Sequence, residues 1–182
     1  MQPIGPLMHE HRLIERLLNL VEREVYAIEA GKKPDSQFID QAVDFCRTYA
    51  DRCHHGKEED ILFRELMKKP LLDDERRILG ELVDEHVQGR ALVRAIDETN
   101  RAVARCEPAA SVETLLPLLR KLIAFYPVHI AKEDKHFFFP VMKHFSRAEM
   151  DAMLKEFEAF DRMVVHEKYA GIVDSREAAL KA

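Results

Sequence analysis

Two short strings carry the residue types for chemistry, His54-His55-Gly56-Lys57-Glu58-Glu59 and His129-Ile130-Ala131-Lys132-Glu133-Asp134. Each places a histidine four residues before a glutamate, a spacing that on a helix stacks imidazole and carboxylate on one face. The strings lie 75 residues apart, and the same shift carries Leu7-Met8-His9-Glu10-His11 onto Leu82-Val83-Asp84-Glu85-His86 and Phe63 onto Phe138. A shift set by one histidine pair that also matches a second pair and its glutamate reads as an internal duplication. With His11, His54, His86 and His129 on separate helices, four imidazoles project inward at one level together with Glu58 and Glu133. Six nitrogen and oxygen donors without a thiolate suit a pair of first-row metals, whereas a structural zinc takes four ligands in a closed tetrahedron. Carboxylates can bridge two such metals while imidazoles cap them. The competing reading is a polar core in which these six residues satisfy one another without metal.

The elements that must hold these residues are helical throughout, since no run alternates with period two for long enough to suggest a sheet. A first helix is predicted from about Ile4 to Ala30, with Leu7, His11, Ile14, Leu18, Val21 and Val25 on one stripe, stopping at Gly31-Lys32-Lys33-Pro34-Asp35. Ser36 caps a long second helix that Pro70 ends, and Asp73 or Asp74 opens a third that fades near Cys106-Glu107-Pro108. Ser111 caps a fourth, with a kink expected near Pro127 and an end at Pro140 or soon after. Ser146-Arg147-Ala148-Glu149 is a capping-box pattern before a fifth, shorter helix running to about Val164. Four long helices with short connections pack most simply as an antiparallel up-down four-helix bundle with an additional C-terminal helix. The expected organisation is a metal-binding bundle over residues 1–145 and a C-terminal helical extension over 146–182 packed on the same domain.

Composition narrows the function classes. The 182 residues are 47% hydrophobic and 34% charged, which argues against disorder, and 28 basic against 33 acidic residues leave a net charge of -5 with the signs interspersed. No basic run is present for nucleic acid to follow, so no nucleic-acid partner is expected. No apolar stretch approaches the roughly 18 residues of a membrane helix, and Met1-Gln2-Pro3-Ile4 opens with neither basic leader nor apolar signal core, so no membrane partner is expected and the cytoplasm is the expected compartment. Cys46 and Cys53 would sit about 10 Å apart along one helix, too far to bridge, and with Cys106 they are expected to be reduced.

The order of one histidine, then His-x-x-x-Glu, another histidine, then His-x-x-x-Glu resembles the hemerythrin-like (HHE cation-binding) family over about residues 4–145. The local strings His11-Arg12-Leu13-Ile14-Glu15 and Glu85-His86-Val87-Gln88-Gly89-Arg90 belong to the same likeness. The resemblance implies a non-heme centre of two iron ions per chain in an up-down bundle, with a solvent-derived oxo or hydroxo bridge. His11, His54, His86 and His129 would be terminal ligands, and Glu58 and Glu133 would bridge the irons. The chain departs from the oxygen-carrying members, which place a second histidine one turn from that of the third helix and an aspartate in the last motif. Leu82, Arg90 and Glu133 stand at those positions here. With four imidazoles, and Gly89 beside His86 leaving room for solvent, long-lived reversible oxygen carriage is not expected.

Other residues are read more plainly. His55 is turned roughly 100° from His54 on an α-helix and its counterpart is Ile130, so the register expects His54→Ala to lose metal and His55→Ala to keep it. Glu15 and Arg90 correspond under the shift and are read either as a pair or ligand-orienting groups inside the bundle or as ordinary surface charges. His136 is assigned to surface or core packing, Cys53 to a small buried hydrophobe, and His9, His144 and His166 to the solvent side. The leading function is a protein that binds or senses a small oxidant (dioxygen, nitric oxide or peroxide) at the di-iron centre. Any sensing role would then need a second copy or a separate protein partner. The alternative is a di-iron enzyme detoxifying peroxide or nitric oxide, or delivering iron for cluster repair; a metal-free helical interaction module is the third class.

Overall fold

A computed structural model describes residues 2–107, 111–161 and 163–180, without the side chains of residues 163–168. Every regular element among the described residues is helical. Helix α1 spans Ile4–Glu29 and buries the expected stripe. It ends where Gly31 takes a φ of +87°, a left-handed conformation that glycine adopts without steric cost, so that the Lys32 amide can return to the Ala27 carbonyl at 3.0 Å. Helix α2 covers residues 36–66, and its cap is Asp35, whose carboxylate accepts from the Phe38 amide, rather than Ser36. Helix α3 spans Asp73–Ala104, with the Glu75 carboxylate accepting from the Leu72 amide at 2.9 Å. Helix α4 covers Val112–Met142 and runs through Pro117 and Pro127 without interruption. By length and apolar composition α4 does reach the membrane-helix limit, contrary to the sequence reading. Its stripe of Leu115, Leu119, Leu122, Tyr126 and His129 is nonetheless buried among the other helices.

The C-terminal region differs from expectation. Ser146 and Glu149 form the predicted capping box, but helix α5 stops at Phe160, spanning Arg147–Phe160, because Asp161 adopts an extended ψ of 91°. A sixth helix, α6, follows at Met163–Ala179. Helix α5 packs on α2, and α6 packs on α1 and α2. Gly56 marks the close approach of α5, since a Cβ there would lie 2.9 Å from the Phe160 ring. Tyr169 and Val173 of α6 are buried, and Arg16 of α1 holds Asp174 and Glu177.

Two apolar clusters form the core. One contains Ile14, Tyr49, Ala50, Leu92, Tyr126 and Ile130; the other contains Leu7, Ile61, Leu82 and Phe137. Between them, on each of α1 to α4, the chain places buried polar residues: His11, then His54 to Glu58, then His86, then His129 and Glu133. The sequence thus interrupts its hydrophobic periodicity at one level of the packed helices, and that level is the functional layer.

Candidate metal centre

Helix α2 is π-wound over Cys46–His55 and again over Glu58–Phe63, and α4 is π-wound over Glu133–Phe137. The i→i+5 bonding of a π-turn widens the helix, so consecutive residues are turned by less than the 100° of an α-helix. His54 and His55 therefore both face inward. This corrects the expectation that His55 could not share His54's side: His55 is 3% exposed and its ring stacks on His86 at 3.9 Å. The six residues singled out by the duplication are also brought together, each buried.

Donor atoms fall into two groups, His11, His54, Glu58 and Glu133 in one and His55, His86 and His129 in the other. Both carboxylates span the groups. Glu58 places Oε1 at 3.5 Å from His54 Nε2 and Oε2 at 3.4 Å from His86 Nε2. Glu133 places Oε2 at 3.2 Å from His11 Nε2 and Oε1 at 3.4 Å from His129 Nε2. One oxygen of each carboxylate toward each imidazole group is the disposition a bridging ligand requires.

The outward nitrogens are tethered. Nδ1 of His11 is hydrogen-bonded to Asp134 (2.8 Å), of His54 to Glu10 (2.9 Å), of His86 to Glu59 (2.6 Å) and of His129 to Glu85 (2.9 Å). Nδ1 of His55 lies 3.4 Å from Asp51. A carboxylate at Nδ1 fixes the proton there and turns the Nε2 lone pair toward the centre, the usual support of a metal-binding imidazole. This ring obeys the duplication: Glu10 and Glu85, Glu59 and Asp134, and Lys57 and Lys132 are related by the 75-residue shift. Lys57 bonds Glu10, and Lys132 bonds Glu85 at 2.6 Å. Arg90 bonds Glu59 at 2.6 Å and so steadies His86 through it, while Glu15 pairs with Arg12 instead.

Six buried atoms here make no hydrogen bond: both carboxylate oxygens of Glu58, both of Glu133, and Nε2 of His86 and of His129. An unsatisfied buried polar group costs about 1–3 kcal/mol, and more where charged. Together with the His11 and His54 Nε2 atoms facing each other at 2.9 Å, this is a set of lone pairs aimed at a common interior. The residues fit a metal site: a cation would satisfy every one of these atoms at once. Burial, reinforced by the neighbouring His11 charge, pushes the His54 imidazole well below its usual range, and burial with the His86 charge pushes His55 down to about 3, leaving both neutral. Burial and the charge of Glu133 push the Glu58 carboxyl up; burial acts the same way on Glu133, but His129, His11 and His86 hold it well below the carboxylate range.

The sequence reading missed His55 and the carboxylate ring. The ring had a signal, since Glu10 and Glu85 sit inside the aligned strings; His55 had none, because its counterpart is Ile130. With His55 the inward imidazoles number five, which removes the shortfall on which the argument against oxygen carriage rested. His136 and His9 are exposed, as expected, whereas His144 is half-buried against Glu75 at 2.7 Å. His166 lies outside the described side chains. Cys46, Cys53 and Cys106 are unpaired thiols.

Comparison with known proteins agrees with this geometry. The chain is 26% identical over 153 residues to the uncharacterized proteins Rv1995 of Mycobacterium tuberculosis and Mb2018 of Mycobacterium bovis, a match covering 84% of this chain and 58% of theirs. No solved structure matches it. The hemerythrin HHE cation binding domain matches twice, over residues 2–139 and 77–170, with starts separated by the same 75 residues as the internal repeat. A duplicated His and Glu pattern, a buried layer of unsatisfied donors and a family match over most of the length converge: the chain belongs to the hemerythrin HHE cation-binding domain family.

Proposed function

We propose that the chain is a non-heme di-iron protein that binds a small oxidant, dioxygen, nitric oxide or peroxide, at the polar layer of an antiparallel up-down four-helix bundle. The alternation of direction is supported by the two core clusters. Along α1 and α3 the chain passes from the Leu7 and Leu82 cluster to the Ile14 and Leu92 cluster, and along α2 and α4 it passes the other way. One iron would be held by His11 and His54 and the other by His55, His86 and His129, with Glu58 and Glu133 shared and a solvent-derived oxo or hydroxo bridge between them. The iron pair supplies reversible redox chemistry when bound. The protein's own residues turn each imidazole Nε2 toward the centre by holding its Nδ1 on a carboxylate, hold Glu58 and Glu133 in a span, and close the layer above and below with apolar side chains that limit water.

The observation that carries this reading is the set of six buried, unbonded nitrogen and oxygen atoms shared between two imidazole groups. Metal analysis of protein made in iron-replete cells should give about two irons per chain. One zinc per chain, or no metal, would sink the proposal. Anaerobic reduction followed by addition of dioxygen, nitric oxide or peroxide separates stoichiometric binding, read from the absorption bands, from turnover, read from continued consumption of the added oxidant.

A further inference from the structure

A cavity of about 250 Å³ opens to one side of the polar layer and is bounded by His55, Gly89, Arg90, Arg94, Arg47 and Tyr126. It has room for several waters. Three features of its wall point the same way. Tyr126 is 2% exposed, yet its hydroxyl makes no hydrogen bond among the described residues, and it would lie 3.8 Å from a Cβ at Gly89, on the cavity side. Three arginines and one carboxylate, Asp51, line it, and Asp51 is already taken by Arg90 at 2.7 Å. Arg47 is held by Asp97 at 2.8 Å, while Arg94 has no ion pair among the described residues. The uncommitted groups are thus a phenolic donor and a guanidinium. A phenolic O–H can donate to an electron-rich partner.

The internal duplication supplies a control within the same molecule. At the repeat-related positions Gly89 becomes Ile14, His55 becomes Ile130, Arg90 becomes Glu15 and Arg94 becomes Asn19. Ile14 and Ile130 are buried in the apolar core, and the groove beside them is lined by Glu15, Asn19 and Glu22. The groove on one half of the duplication is therefore acidic and walled from the centre by isoleucines, and the cavity on the other is basic and bounded by His55 and Gly89.

We infer that this cavity is a binding pocket for a small oxyanion, with the Tyr126 hydroxyl and the Arg94 guanidinium as its recognition groups and Gly89 as the residue that keeps it open. Its role as the approach to the centre, through the His55 wall, rests on the di-iron reading; its binding of the anion does not. Nitrite is a suitable probe, titrated by calorimetry into the protein as isolated, with chloride at equal ionic strength as control. Loss of one charge-assisted hydrogen bond predicts about tenfold weaker binding for Arg94→Gln and several-fold for Tyr126→Phe, and Gly89→Leu should abolish binding by filling the pocket. Helical content and metal content should be unchanged in the first two. Nitrite affinity indifferent to all three substitutions, or matched by chloride, overturns the pocket. The metal content of each sample separates the two ideas. Iron-free protein that binds nitrite in a Tyr126- and Arg94-dependent way keeps the pocket and sinks the di-iron reading, whereas iron-loaded protein without that dependence sinks the pocket alone.

Discussion

His55 differs from the other four imidazoles in its tether, 3.4 Å to Asp51 where the others hold their carboxylates at 2.6 to 2.9 Å. It still lies within the group formed with His86 and His129, so His55→Ala should weaken metal retention by at least about tenfold, reversing the expectation from helical register. Metal content of His55→Ala and His54→Ala after equal dialysis against chelator decides this. Full retention in His55→Ala would return His55 to mere packing. A second outcome follows from titration in metal-free protein. Burial opposes protonation of His11, but Asp134 and Glu133 outweigh it and raise the imidazole to about 9, while burial and the His86 charge lower His55 to about 3. The raised His11 contributes stability below the unfolded value near 6.5, lost as pH climbs to about 9. The lowered His55 contributes above about 6.5, and that is lost as pH falls toward 3. Bound metal must displace the His11 proton, so urea midpoints should fall between pH 6.5 and 9 for metal-free protein and stay level for loaded protein. Parallel curves would refute the assignment. Convergence of the six duplicated residues was legible because spacing alone places them. His55 was not, because its inward turn depends on a π-wound backbone that no residue type announces.

At the scale of elements, the duplication is tested by what each half does with its lysine. Lys57 on α2 and Lys132 on α4 occupy equivalent positions and each bonds the carboxylate that orients a histidine. Lys57, however, is fully buried, with Asp161 at the end of α5 bonded to it at 2.5 Å, whereas Lys132 keeps a side-chain exposure of 22%. Removing one partner of a buried ion pair costs about 3–5 kcal/mol, while an exposed pair contributes up to about 1 kcal/mol. Lys57→Met should therefore lower unfolding stability by about 3 kcal/mol and Lys132→Met by less than about 1 kcal/mol, as read from urea denaturation. Equal losses would mean that Asp161 adds nothing to the burial of this network. Most helix boundaries could be read from the chain, since Gly31, Pro70 and the Ser146 capping box act through local backbone chemistry. The break at Asp161 could not. Its extended backbone is set beside Lys57 and Cys53, contacts more than 100 residues away in sequence, and the apolar pattern across it reads as one continuous helix.

The whole molecule places a buried polar layer between its two apolar clusters. Leu7, Leu82, Ile61 and Phe137 pack on one side and Ile14, Leu92, Tyr49 and Ile130 on the other, but between them lie two buried carboxylates and five buried imidazoles drawn from all four long helices. Without a cation those groups stand desolvated against each other, and the cost falls on the contacts that join the helices rather than on any one helix. Metal should therefore act as a staple across α1 to α4: it binds the folded layer and has no preformed site in the unfolded chain. A ligand at about a thousand times its dissociation constant stabilises by about 4 kcal/mol, and for a chain of this size each kcal/mol moves the melting temperature by roughly 2–4 °C. Removing metal should then lower the melting temperature by about 10 °C. Protection from native-state hydrogen exchange should fall in the same step at the polar layer of all four helices, including residues 54–58 and 129–133, with α5 and the far ends of the helices less affected. The experiment is differential scanning calorimetry and exchange on one preparation before and after verified chelation. A melt unchanged by chelation, or protection lost in a single helix, would show that the donors are not a shared layer.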